Sequence, residues 1–165
     1  MSIDTLEDLY LEQLRDIYSA NMQALDVTDA MARAATDPQL SEALQAGSRG
    51  IKGGIDALDR IGKRHDEDVG DGHCKGMEGL AKEARAHAIE QSFGDDAAKD
   101  AMIITQYQRL VHYAIAGYGC LAAFAERLEL DDDKFALKDC LDASYDGDRT
   151  MTDLATGGIN EDAIA

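Results

Sequence analysis

At 165 residues the chain can bury one real core, and its 45% apolar content argues against disorder. Its 33 acids against 16 bases leave a formal charge of −17, which repels phosphate backbones and anionic lipid and so argues against nucleic acid and membranes as partners. One proline, no tryptophan and an abundance of Ala, Leu, Asp and Glu point to helix rather than sheet.

The acids are spread along the chain, as in a surface adapted to a salty medium, rather than gathered into a block that would dock a basic partner. Met1-Ser2-Ile3-Asp4 lacks the basic start and apolar run of a signal peptide, and no stretch approaches transmembrane length. Cys74, Cys120 and Cys140 have no CxxC spacing. The expectation is a cytoplasmic protein with free thiols, in which Cys120 and Cys140 act as small buried apolar groups.

Thr5, followed by Glu7 and Asp8, reads as the N-cap of a first long helix ending near Thr36. Its inner stripe runs through Leu14, Ile17, Asn21, Leu25, Thr28 and Met31. Asp37-Pro38 starts a second helix, with Leu40, Leu44, Gly47, Ile51, Ile55, Leu58 and Ile61 facing inward. A Gly- and Asp-rich loop over 65–73 precedes a short helix from about Cys74 to Gln91. A third long helix covers roughly Asp95–Leu128 with Tyr107, Leu110, Val111, Ala114, Tyr118 and Leu121 inward. Asp131-Asp132-Asp133 should cap the last, lined by Leu137, Leu141, Ser144, Asp148 and Met151, and Gly157-Gly158 should stop it. The economical arrangement is all-α: an antiparallel four-helix bundle with one additional short helix, a single domain over 1–165.

Such bundles commonly host a carboxylate-bridged di-metal site, which needs a Glu from each of two helices and a Glu-x-x-His pair from each of the other two. The inward positions here are Asn21, Gly47, Gly50, Gly54, Val111, Ala114, Ser144 and Asp148, and only Asp148 can be an anion. Glu-x-x-His occurs nowhere, so the expectation is a lone Asp148 hydrogen-bonded to Asn21, Ser144 or a tyrosine. Gly47, Gly50, Gly53 and Gly54 either bring helices close or leave a cavity, and close approach is the favoured reading. Glu83, His87 and Glu90 share a helix face and offer a weak surface metal site; a solvated face is the plainer reading. Asp66–Asp71 falls out of register for a calcium loop, and His73-Cys74 lacks a partner pair for a soft metal. His112 is expected in a structural hydrogen bond.

Thr5-Leu-Glu-Asp-Leu-Tyr, Asp16-Ile-Tyr-Ser-Ala-Asn21, Cys74-Lys-Gly-Met-Glu-Gly-Leu80 and His112-Tyr-Ala-Ile-Ala-Gly-Tyr-Gly119 resemble the YciE/YciF ferritin-like stress proteins over about residues 3–160. The resemblance implies a ferritin-like bundle, a di-metal site and often a homodimer. It also implies Glu where Asn21 stands, an acidic pair and a His around Arg49, Gly50 and Gly54, Glu at Val111 and Ala114, and a Glu pair at Ala143 and Ser144. Against that pattern only Asp148 is kept, with His112 and Glu78 beside it, so the expectation is a member that has lost its metal ligands. The leading expectation is therefore a non-catalytic, stress-associated structural or binding bundle with no cofactor. An iron-binding protein or ferroxidase with a relocated site (Glu78, Glu83, His87 or Asp148) is the alternative. A third is a small-molecule module using the emptied cavity beside Gly50, Gly54, Ala114 and Ser144.

Overall fold

The computed structural model describes residues 3–164. Four long helices carry the fold: α1 (Leu6–Ala34), α2 (Pro38–Arg64), α4 (Asp96–Arg127) and α5 (Asp131–Leu154). The short α3 (Lys75–Ala84) continues into one π-helical turn, Arg85–Glu90, so the expected helix ends differently from a simple α-helix. After α5 a second π turn, Ala155–Ile159, leads into a terminal α6 (Asn160–Asp162). Gly158 departs from helical geometry there without ending the helical path, so the glycine pair bends the segment where a stop was expected.

Local signals account for most helix starts. The Thr5 hydroxyl accepts from Asp8 N–H at 3.0 Å and the Asp8 carboxylate accepts from Thr5 N–H at 3.0 Å, a reciprocal capping box. Asp37 and Asp95 cap α2 and α4 through Leu40 N–H and Ala98 N–H. Asp66 and Glu129, with φ of 55° and 60°, take left-handed turns after α2 and α4. Each lets the next residue's N–H reach back, Glu67 to Gly62 and Leu130 to Ala125, both at 2.9 Å.

α5 departs from expectation. Its N-cap is Leu130, with no side-chain cap, and the three aspartates lie in the first turn. Asp133 turns inward instead, only 3% exposed, and accepts from Tyr10 Oη at 2.9 Å and from Arg64 Nε at 2.8 Å. His65 Nε2 lies 2.6 Å from Oδ2, the oxygen that also accepts from Tyr10, while Arg64 holds Oδ1. A carboxylate engaged in this way has no lone pair free for a helix cap.

Tyr10, His65 and Asp133 meet at one end of the bundle; Thr36, Asp37 and Asp100 meet at the other. Each long helix is thereby antiparallel to both neighbours: α1 packs on α2 and α4, and α5 on α2 and α4. The crossover from α2 to α4 runs through α3, laid along the α1–α4 seam. Asp100 is the clamp of the far end, taking Thr36 N–H at 2.8 Å, the Thr36 hydroxyl at 2.6 Å and Asp37 N–H at 2.8 Å. That use of Thr36 ends α1 at Ala34, before the expected boundary.

Two apolar clusters fill the interior, one around Met31, Leu40, Leu44 and Ile103, the other around Tyr10, Leu14, Leu58 and Leu137. Cys74 is buried and Cys140 half-buried, but Cys120 is exposed, a correction to the expectation that it packs inside. Among the described residues no helix is long and apolar enough to cross a membrane.

Burial alone would raise the Asp133 pKa, but hydrogen bonds from His65, Arg64 and Tyr10 outweigh it and hold the carboxyl below its ordinary value. A group depressed in the folded state adds stability above its unfolded pKa, near 4, and loses it as pH falls through the folded value. Asp133→Asn is therefore expected to cost about 2 kcal/mol at neutral pH. Denaturant titrations from pH 7 to pH 2 should show the gap from the natural protein closing in acid; a gap constant with pH would contradict the network.

Candidate functional site

Between the two apolar clusters the four long helices fail to close, leaving a cavity of about 340 Å³. α1 contributes Asn21 and Ala24, α2 Gly47, Gly50 and Gly54, α4 Tyr107, Val111, Ala114 and Tyr118, and α5 Ala143, Ser144 and Gly147. Its mouth lies between α2 and α5, where Ala46, Gly50, Ala143 and Thr150 are exposed. Of the eight inward positions expected from the sequence, Asn21, Gly47, Gly50, Gly54, Val111, Ala114 and Ser144 line this one chamber.

Asp148 does not. It sits on the α4–α5 seam, where its Oδ1 accepts from Gln108 Nε2 at 3.1 Å and lies 3.1 Å from His112 Nε2, not from Asn21, Ser144 or a tyrosine. Gln108 and His112, one turn apart on α4, offer polar partners and solvent that an apolar chamber would withhold. His112 is 63% exposed and this is its structural bond.

The glycines divide into two kinds. A Cβ on Gly47 would come within 2.3 Å of the Tyr107 hydroxyl oxygen, and one on Gly54 within 2.3 Å of that of Tyr118. Here close approach is real, but it is made by tyrosine side chains reaching across the bundle from α4, not by a neighbouring helix backbone. Gly50 and Gly53 have open space around the missing Cβ, and Gly50 widens the chamber mouth. The favoured reading of uniform close approach is thus corrected.

Tyr118 Oη accepts from Asn21 Nδ2 at 2.7 Å, and burial, with the nearby Cys140, pushes its pKa far above the ordinary phenol value. Burial likewise raises the Cys140 thiol. Ser144 Oγ donates to the Cys140 carbonyl at 2.9 Å. Asp146, at the rim, is ion-paired with Arg149. Tyr107 is 3% exposed, and its pKa is pushed up to about 12 by burial and by the charge of Asp148. Its hydroxyl has no hydrogen-bond partner among the described residues.

These residues do not fit a di-iron group. The chamber wall offers amide, hydroxyl, phenol and thiol, with its one carboxylate at the rim and already paired, whereas two irons need several anionic or imidazole ligands. The other candidates lie elsewhere. His87 is 3.3 Å from Glu83 and 3.2 Å from Gln91, while Glu90 lies in the π turn. Glu78 is held down to about 2 by hydrogen bonds from His73 and Lys82. Among the described residues no three His, Cys, Asp or Glu gather as a metal-binding group.

Sequence reasoning missed three features: the Asp133 cluster, the Asp100 clamp and the unpartnered Tyr107. Only the last left a trace. Tyr107 and Tyr118 are eleven residues apart, so they repeat on one helix face, opposite a helix whose inner stripe contains glycine.

Residues 5–164 match the family described as a domain of unknown function, DUF892. The sequence is similar to Protein YciF of Escherichia coli (strain K12), 32% identical over 164 residues that cover 99% of this chain and 98% of the relative. The fold is similar to the crystal structure of the Escherichia coli stress protein YciF, with a TM-score of 0.89 at 32% identity over 96% of this chain and 99% of that one. It is also similar to YcfI of Rhodopseudomonas palustris, for which a structural role has been suggested, with a TM-score of 0.85 at 34% identity over 92% and 95%.

Gly54→Ala should cost about 2 kcal/mol, because Tyr118 must leave Asn21 to make room. Gly50→Ala, in open space on an exposed helix turn, should gain up to about 1 kcal/mol. Thermal melts of both test the division, and equal shifts of one sign would contradict it. Val111→Glu with Ala114→Glu, which forces acids into the neutral chamber, should lower stability by about 3 kcal/mol or more without metal. An unchanged midpoint would mean these positions are not buried as described.

Proposed function

Because the chain belongs to the DUF892 family, we propose that it is a ferritin-like, stress-associated bundle that works without a di-iron centre, as a homodimer, and whose central chamber receives a small molecule. The observation that carries this reading is the composition of the chamber. Of the positions where the family resemblance would place iron ligands, Asn21, Gly50, Gly54, Val111, Ala114, Ala143 and Ser144 enclose neutral, largely apolar space, while Arg49 and Asp148 lie outside it. Replacing buried acids by Val, Ala, Gly and Ser removes the electrostatic need for a cation, since buried carboxylates and metal must come or go together.

The size agrees. A volume of about 340 Å³ lies at the small end of ligand pockets, roughly 300–1,000 Å³. Left dry and enclosed, it would cost several kcal/mol; the mouth between α2 and α5 lets solvent or ligand in. A relocated iron site has less support, because Glu78, Glu83, His87 and Asp148 are each engaged with other side chains and are not grouped.

The test is iron content by plasma mass spectrometry on protein purified without chelator, before and after ferrous iron is added. Well under about one iron per chain, with oxidation no faster than buffer, is expected; about two per chain, the stoichiometry of di-iron bundles, would overturn the proposal. Light scattering checks the dimer, for which the mass should be twice the 17.8 kDa of one chain.

A further inference from the structure

We propose that the chamber binds a compact, uncharged carbonyl compound, its apolar body held among the α2, α4 and α5 walls and its oxygen accepting from the Tyr107 hydroxyl. This rests on the reading of the chamber as a small-molecule site and names the ligand class and the anchoring residue.

Tyr107 is the reason for the acceptor. Its side chain is buried, its hydroxyl opens onto the chamber, and among the described residues no group accepts from it. The hydroxyl is not sealed off like those of Thr28 and Ser48: it faces the open chamber, so it donates to whatever fills that space, water or a guest that displaces it. The hydroxyl is held in place by two glycines: Gly47 on α2 leaves the space it occupies, and a Cβ on Gly147 of α5 would come to 3.3 Å of it. The other polar groups of the wall each have at least one protein partner: Asn21 gives one amide hydrogen to Tyr118, Ser144 donates to the Cys140 carbonyl, and Asp146 pairs with Arg149. The buried, unpaired hydroxyls of Thr28 and Ser48 do not line the chamber. Among the wall's hydroxyls, Tyr107's is the one that no described residue pairs, and it is the donor offered to a guest.

Charge excludes the alternatives. Asp148 beside Tyr107, Asp146 at the rim and the −17 of the whole chain repel an anion. A cation would leave water for a chamber with no unpaired carboxylate to receive it. With its pKa pushed up to about 12, the Tyr107 phenol remains a neutral donor across the physiological range. As for size, a cavity of about 150 Å³ already takes benzene, so this one accommodates one or two rings with a short substituent.

The experiment uses the full chain, with acetophenone and isopropylbenzene as probes of closely similar shape, only the first carrying an acceptor. Affinities are read from NMR shifts of the Ala114 and Met151 methyl groups in the natural protein and in Tyr107→Phe. Acetophenone is expected to bind about fivefold tighter than isopropylbenzene to the natural protein. Tyr107→Phe should reduce that preference to less than about twofold and leave isopropylbenzene unaffected. Should Tyr107→Phe fail to fold, the Tyr107 ring-carbon shift in the natural protein must respond to acetophenone and not to isopropylbenzene. Equal binding of the two probes to the natural protein would overturn the role of Tyr107 while leaving the chamber a binding site. If neither probe binds at millimolar concentration, the small-molecule reading of the chamber falls as well.

Discussion

Two tyrosines of α4 reach across the bundle to touch α2 at glycines, and the interior depends on this contact. Tyr107 and Tyr118 are both buried, and each phenol ends where Gly47 or Gly54 lacks a side chain. They act as struts across the diagonal. Between them the residues are small (Gly50, Ala114, Ala143 and Ser144), and small side chains cannot fill the space that the struts hold open. The chamber is thus a consequence of side-chain size in alternation along two helices. It needs no special backbone geometry.

The ends of the bundle are held by a different kind of interaction. Asp133 gathers α1 through Tyr10 and the end of α2 through Arg64 and His65, and Asp100 fixes the α1–α2 turn against α4. Each is an acid buried with several donors, the condition under which a buried carboxylate stabilises rather than costs. Most of the chain's other acids face water, where mutual repulsion is screened by salt. Buried negative charge is therefore concentrated in two partnered places, and among the described residues the chamber lining has a carboxylate only at its rim, Asp146.

That distribution separates this chain from the di-metal arrangement that its family resemblance implies. A di-iron site concentrates anionic ligands at the centre of the bundle and relies on the cations to neutralise them. Here the chamber lining is amide, phenol, hydroxyl, thiol and hydrocarbon, the observation on which the proposed metal-free function rests. A neutral guest, as proposed above, matches that lining.

Helix number, order and most boundaries were legible in the sequence, because caps such as Thr5, Asp37 and Asp95 act within one turn and amphipathic stripes repeat every three or four residues. The neutrality of the centre was legible too, since residue identity at inward positions is a matter of spacing alone. Asp148 was misjudged because a stripe defines a face only to within a residue or so, and the seam beside that face offered Gln108 and His112. The inward turn of Asp133, the meeting of Tyr107 with Gly47, and the fact that the glycines make both a contact and an opening were decided only by tertiary structure. Each joins residues from about 60 to more than 120 positions apart, and no local propensity specifies which helix faces which across the centre of a bundle.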